Sequence, residues 1–431
     1  MAQTETVQLK ERTPLAIWAG FLVICFFFFH ITSSTFTSLG VVLPSMIEEQ
    51  GWSWSEAGLG FSILALVVGL AALIPAWIIR RGSVKLSFCI GGLIMMAGFS
   101  LLATTQSLIQ YFIGTGLAGF GFTLCGNVPA VHYVNTKFSE DKRSGAIGWY
   151  LTIGGMGGVA GPLLVTLIMG ETGNWRDFWW YATGCSALMI ALTAAALTGK
   201  AGASPLDRGA QEGDGEVQDS GPQWTYGQVI RTRQYHIIVA ALTLTLFCGL
   251  TLNSWAVTHM TALDVAPAIA AGALSGHALI NALSRGFGAL AVKVVAAKWL
   301  LVSALAAEVV GMLALSQAST PLMITLFGLG EGYGYGMCLF ATTVLLVDYF
   351  GTARNPELLG SMHLVTTIAM IGPTLAGFVA ERIGGFGPVF MGYAGIVFVV
   401  MLAAIFMRAP RLPSQGEEPA MAERADGRQL A

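Results

Sequence analysis

The stretch "GFGFTLC" at positions 119–125 returns as "GYGYGMC" at 332–338. A second pair follows in the same order, Gly161-Pro162 and Gly372-Pro373, at nearly the same interval. One such match could arise by chance; two in order, at nearly one offset, mark a tandem repeat. Both copies lie in long apolar runs. A bilayer-spanning helix needs about 20 mostly apolar residues. Twelve such runs can be marked, at 15–44, 54–79, 84–104, 107–135, 143–170, 175–198, 234–260, 266–297, 299–317, 320–349, 357–382 and 385–407. They are continuous rather than alternating, which predicts helices and not the strands of a membrane barrel. The repeat splits them six and six.

Composition agrees. Of 431 residues, 55% are apolar and 11% charged, against about 25% charged in an ordinary soluble domain. The mean hydropathy is +0.68. Solvated charge cannot cover such a chain, which excludes a soluble enzyme, a disordered protein and a disulfide-stapled secreted domain. A net charge of -2 offers no field for nucleic acid. Cys25, Cys89, Cys125, Cys185, Cys248 and Cys338 sit in apolar stretches without a CxxC pair and read as small hydrophobes. No His pair has zinc-site spacing, and no cofactor motif or nucleophile–base pattern is present.

With the N-terminus in the cytoplasm, 19 of the 22 Lys and Arg fall on the cytoplasmic side, as membrane orientation requires. Arg176 and Arg382 fall outside, and Arg285 falls within a span. The expected organisation is a cytoplasmic tail (1–14), a six-helix bundle (15–198), a polar cytoplasmic loop (199–233), a second bundle (234–407) and a cytoplasmic tail (408–431). This is an all-α membrane protein of twelve spans in two pseudo-symmetric bundles. Repeats of this kind build alternating-access carriers, with the site between the halves near mid-membrane. A cytoplasmic-membrane location follows, and the chain is expected to work as a monomer.

Three charged side chains lie well inside spans: Arg285, Glu308 and Glu331. Charge in hydrocarbon is expensive and marks candidate function. In "HALINALSRGFG" (277–288), His277, Asn281, Ser284, Arg285 and Gly288 recur at helical spacing on one side. Such a stripe faces a cavity or another helix, and a guanidinium there can hold a carboxylate bidentately. Glu331 falls about 15 Å into the tenth span at 1.5 Å per residue, among small residues that admit close neighbours. Glu331 and His277 are candidate proton carriers; the alternatives for Glu331 are a static pair with Arg285 or a hydrogen-bonded protonated acid. Glu308 lies on the ninth span. Asn127, Asn253, His363 and Thr366 are further candidates for binding an oxygen-rich ligand, although Ser, Thr and amide groups also tie membrane helices together. Trp175, Trp179 and Trp180 at a span end read as interfacial anchors.

Several strings resemble the major facilitator superfamily, and within it the branch of monocarboxylate transporters and oxalate/formate antiporters. They are "SLGVVLPSMIEEQGWSWSEAGLGFSI" (38–63), "HYVNTKFSEDKRSGAIGWYLTIGGMGGVAGP" (132–162), "VIRTRQYHIIVAAL" (229–242) and "DYFGTARNPELLG" (348–360). The resemblance implies spans one, four, seven and ten around a central cavity, a peripheral ninth span on which Glu308 reads as scaffold, and an Arg in span eight, here Arg285, on the substrate carboxylate. It implies carriage of a small organic anion by proton symport or exchange against another anion. There are departures. The superfamily's loop after span two is reduced to Arg80 and Gly82 within "PAWIIRRGSV" (75–84). The Asp that precedes the span-eight Arg in proton-coupled members is Asn281. The antiporter's second cation on span eleven is replaced by Val365 and Thr366, with His363 nearby, which fits one carboxylate better than two. The alternative is a proton-coupled efflux pump, since Gly148, Gly157, Gly161 and Pro162 follow the antiporter spacing in span five.

Overall fold

The computed structural model describes residues 15–197, 224–351 and 355–410. The proposed N-terminal tail (1–14), all but residues 408–410 of the proposed C-terminal tail (408–431), and most of the central loop lie outside these residues. Among the described residues every regular element is helical. The first half comprises α1 (Leu15–Ser33), α2 (Phe36–Gln50), α3 (Trp54–Leu70), α4 (Ile74–Arg81), α5 (Val84–Ala103), α6 (Leu108–Cys125), α7 (Asn127–Lys137), α8 (Glu140–Thr172) and α9 (Trp175–Ala196). A short α10 (Tyr226–Val229) precedes the second half. That half comprises α11 (Arg233–Ala262), α12 (Pro267–Ala291), α13 (Ala297–Ser316), α14 (Pro321–Phe350), α15 (Asn355–Thr366), a 3-10 turn (Thr367–Ile371), α16 (Gly372–Ile383) and α17 (Gly387–Phe406).

Ten helical segments are long and apolar enough to cross a bilayer, and the bent pair α3–α4 makes eleven. The remaining run is α12. His277, Asn281, Ser284 and Arg285 dilute its apolar character.

Several spans are broken where the sequence supplies a competitor for the backbone. The α1–α2 break follows from "HITSSTFTS" (30–38). Thr35 Oγ1 donates to the Ile31 carbonyl at 2.7 Å, and Ser38 Oγ donates to that of Ser33 at 2.5 Å. Hydroxyls thereby take over carbonyls that the helix ladder releases. Helices α3 and α4 meet at 46°, with Pro75 in the first turn of α4, where its missing N–H costs nothing. Pro373 lacks the N–H that would bond Ala369, and the preceding turn tightens to 3-10 geometry. Helix starts are capped by polar side chains: Ser53 forms a capping box with Glu56, and Ser83, Ser107, Asn174, Thr232 and Thr320 each accept a first-turn N–H.

The repeat is visible in the packing. Lys85, opening α5, donates to the Ala194 carbonyl at the end of α9 at 2.6 Å. Lys298, opening α13, donates to the Ile405 carbonyl at the end of α17 at 2.7 Å. The donors are separated by the same interval as the two glycine-rich strings, and the acceptors by the same interval as the two Gly-Pro pairs. A cation at a helix C-terminus is favoured by the carbonyls left over there. Lys298→Met is therefore expected to lower stability by about 1 kcal/mol. A thermal unfolding midpoint unchanged from wild type would remove this clamp from the account.

Successive spans alternate in direction, so Leu15, Ala196, Arg233 and Phe350 share one end, here the proximal end. Gln50, Trp54, Ala262 and Pro267 share the distal end. The halves meet through α2 on α11, α3 on α16 and α8 on α12. At the distal end Ser55 donates from its backbone N–H and its hydroxyl to the Glu381 carboxylate, at 2.7 and 3.2 Å. Thr374 Oγ1 donates to Ser62 Oγ at 2.8 Å, and Trp54 packs on Phe386 with centroids 4.9 Å apart. Gly40 lies directly against the Asn253 carbonyl. Near mid-depth, Gly155 and Gly158 face Ala282 and Ala278. The proximal segments α4, α7 and α15 pack within their own halves. Among the described residues the seam is thus sealed distally and less closely packed proximally.

Two expectations about tryptophan change. Trp175 and Trp179 are buried; only Trp180 is exposed. Trp175 Nε1 donates to Glu49 at 2.7 Å, beside an Arg176–Glu49 ion pair, and Trp179 stacks on Phe99. Partners on α2 and α5 turn these rings inward.

Candidate functional site

Helix α12 has three faces. Leu283, Phe287 and Leu290 are exposed together, an apolar face suited to lipid. Gly332 and Gly336 of α14 rest on the backbone at His277 and Asn281. Ala278 and Ala282 face α8 of the other half. At about 100° per residue, Arg285 falls between the second and third faces and away from the first. Its side chain is exposed, which on that bearing means the space between the halves. Arg285 Nε donates to Asn281 Oδ1 at 3.1 Å, an i,i+4 brace that orients the guanidinium. Among the described residues no carboxylate lies within ion-pair distance of it.

Other candidates distribute around this point. Asn127 is exposed where Gly126 separates α6 from α7, and His363 is exposed on α15. Counted at 1.5 Å per residue, Asn127, Arg285 and His363 lie about 9–15 Å from the proximal ends of their spans. Thr366 is buried, with its hydroxyl donating to the His363 carbonyl at 2.8 Å. Asn253 is half-buried. Its amide donates to the Gly249 carbonyl at 2.8 Å, and its backbone forms the distal seal.

His277 is buried, and its Nε2 has no hydrogen-bond partner among the described residues. Its ring stands 6.1 Å from Phe327 and 6.2 Å from Tyr335. Tyr335 packs on Gly249 and lies within electrostatic range of Arg285. It joins His277 to the guanidinium, and sequence reading passes over it. The signal is nonetheless present, since Tyr335 stands in the repeated "GYGYGMC" where the first copy has Phe122.

Glu331 is fully buried but not against Arg285. It faces α13, where a Cβ at Gly311 would meet its Cγ at 2.8 Å. Neither carboxyl oxygen has a hydrogen-bond partner among the described residues. The neighbouring acid is Glu308, also fully buried, which accepts a hydrogen bond from Thr245 Oγ1 at 2.7 Å. Of the alternatives for Glu331, the static pair with Arg285 is not found among the described residues, and its charged neighbour is a second carboxyl group.

A profile of the Major Facilitator Superfamily matches residues 22–294. No curated protein matches. Among solved structures, a D-xylose–proton symporter shares 16% identity at a TM-score of 0.69, covering 93% of this chain and 99% of that one. A peptide transporter in complex with sulfate shares 15% at 0.70, covering 90% and 93%. A bacterial homolog of the human lysosomal transporter Spinster, inward-facing and occupied, shares 15% at 0.67, also covering 90% and 93%. At these identities the likeness is one of fold. With the repeated six-helix halves, the apolar spans and a profile match over more than half of its length, the chain belongs to the Major Facilitator Superfamily and is a multi-pass membrane transporter of the secondary kind.

Proposed function

We propose that this transporter carries a small organic monocarboxylate by alternating access, through proton symport or anion exchange. The observation that carries this reading is Arg285, a cation turned into the seam between the halves, braced by Asn281 and without a carboxylate partner among the described residues. A guanidinium there takes an incoming carboxylate as its counter-ion. Asn127, His277, Tyr335, His363, Asn253 and Thr366 would complete the site as substrate closes the halves. His277 and Glu331 would carry the proton.

The positive-inside distribution of Lys and Arg supports a proximal end in the cytoplasm, the membrane being the plasma membrane and the acting unit a monomer. The distally sealed state would then be the cytoplasm-facing one. The efflux alternative rests on the span-five glycines. Gly157 and Gly161 lie against the backbone of Phe29 and Ser33 in α1, a packing role that does not call for drug export.

Counterflow into proteoliposomes tests the reading. Acetate, lactate or benzoate is expected to exchange in a saturable manner, with oxalate weaker. Export of cationic drugs with no carboxylate exchange would overturn it. A second expectation concerns Glu331→Gln, which should keep exchange but lose the response to an imposed pH gradient. A wild-type response in that variant would remove Glu331 from proton coupling.

A further inference from the structure

We propose that Glu308 and Glu331 form one exchangeable proton site inside the second bundle, off the substrate passage, reached through His277. This deepens the proton-coupling part of the proposed function and rests on it only for the link to substrate.

The two acids are placed reciprocally. The Cγ of Glu331 lies against Gly311, three positions after Glu308, and the Cγ of Glu308 lies against Gly334, three positions after Glu331. Helices α13 and α14 thus cross with each carboxyl group on the other helix's glycine, which brings both acids to one level. Both are fully buried. Among the described residues, Glu308 Oε2 and both carboxyl oxygens of Glu331 have no partner, and Thr245 Oγ1 serves only Glu308 Oε1. The groups around the pair are Thr245 and Cys248 on α11 and Tyr335 and Cys338 on α14, with His277 of α12 beside the Tyr335 ring. None is a fixed cation. Two carboxylates cannot both keep their charge in such a place, so the pair holds at least one proton.

The second observation is His277. Its unpartnered, buried Nε2 belongs to a ring 6.1 Å from Phe327 and 6.2 Å from Tyr335. Those residues stand four before and four after Glu331 on one stripe of α14. A ring nearly equidistant from both sits at the height of Glu331. His277 also lies four positions before Asn281 and eight before Arg285 on α12. The acids therefore have a basic nitrogen on the side that leads to the passage. The exchange balances without a co-reactant. The Glu331 O–H bond breaks, its proton forms an N–H bond at His277 Nε2, and the imidazolium releases a proton to the passage. The Glu331 carboxylate left behind accepts the remaining O–H of Glu308.

Infrared spectroscopy of the protein in liposomes, without substrate, tests this. The carbonyl band of buried protonated carboxylic acid is expected to diminish reversibly on alkaline titration. Glu331→Gln should abolish the change and Glu308→Gln should move its midpoint. In heavy water the band should shift as its proton exchanges, and His277→Phe should slow that shift by about 100-fold or more. A band that persists wherever the protein stays folded would overturn the proposal, as would titration unaffected by Glu331→Gln or exchange unaffected by His277→Phe. Acetate and benzoate, added as probes, read the separate claim. If the dyad titrates as expected but neither probe binds, the carboxylate reading fails and the proton site stands.

Discussion

Replacing Arg285 by alanine is expected to abolish carboxylate uptake while leaving the protein folded. The side chain is exposed and, among the described residues, bonds only to Asn281, one turn away on its own helix, so its loss leaves none of their buried groups orphaned. What disappears, on the proposed function, is a forked donor for the carboxylate. Each charge-assisted hydrogen bond contributes about 1.5–3 kcal/mol. Losing both prongs costs about 3 kcal/mol or more, a fall in affinity of about 100-fold or beyond. Arg285→Lys keeps the charge but not the planar fork, and should fall between. Saturable, wild-type counterflow from a well-expressed Arg285→Ala protein would take Arg285 out of the site and the carboxylate reading with it.

The second large effect is expected at Gly40. A Cβ there would fall within the Asn253 carbonyl oxygen, backbone against backbone, where no side-chain rotation can relieve it. In Gly40→Ala, α2 must move off α11, and that contact belongs to the distal seal. Overpacking of this kind costs about 1–3 kcal/mol. With alternating access as proposed, only the distally closed state makes the contact, so the cost falls on that state and shifts the balance between states by about 5–150-fold. Spin labels at Gln106 and Asp264, at the distal ends of opposite halves, should report longer separations than in wild type. An unchanged distance distribution in folded Gly40→Ala would show that α2 and α11 do not form the seal.

Much of this is legible in the sequence. The repeated glycine-rich string marks two halves before any helix is placed, and Lys85 and Lys298 repeat its interval in three dimensions. Helical spacing alone puts His277, Asn281 and Arg285 on one side of a span. Spacing does not say how far a helix is rotated against its neighbours. On the sequence Arg285 is the nearest available opposite charge for Glu331, whereas the glycines of α13 and α14 turn that acid toward Glu308. Glu308 reads as scaffold because its helix is peripheral, and nothing in a linear sequence shows that Glu308 and Glu331 cross at one height. For Trp175 and Trp179 the sequence offers only their place at a span end. Their partners Glu49 and Phe99 stand on distant helices and bury them. The breaks in spans one, two, four and eleven are written in Ser/Thr runs, Gly126, Pro75 and Pro373, and hydropathy averages over such signals.

One consequence of the weak apolarity of α12 concerns how the chain is made. An arginine at the centre of a helix adds about 2.5–3.5 kcal/mol to its transfer from the translocon into lipid, and the helix that carries Arg285 has little hydrophobic surplus to offset it. It should leave the translocon slowly or incompletely until α14 emerges and its glycines cover His277 and Asn281. Ribosome-attached chains that end before Pro321 should therefore show this segment only partly integrated, and longer ones should show it committed to the bilayer.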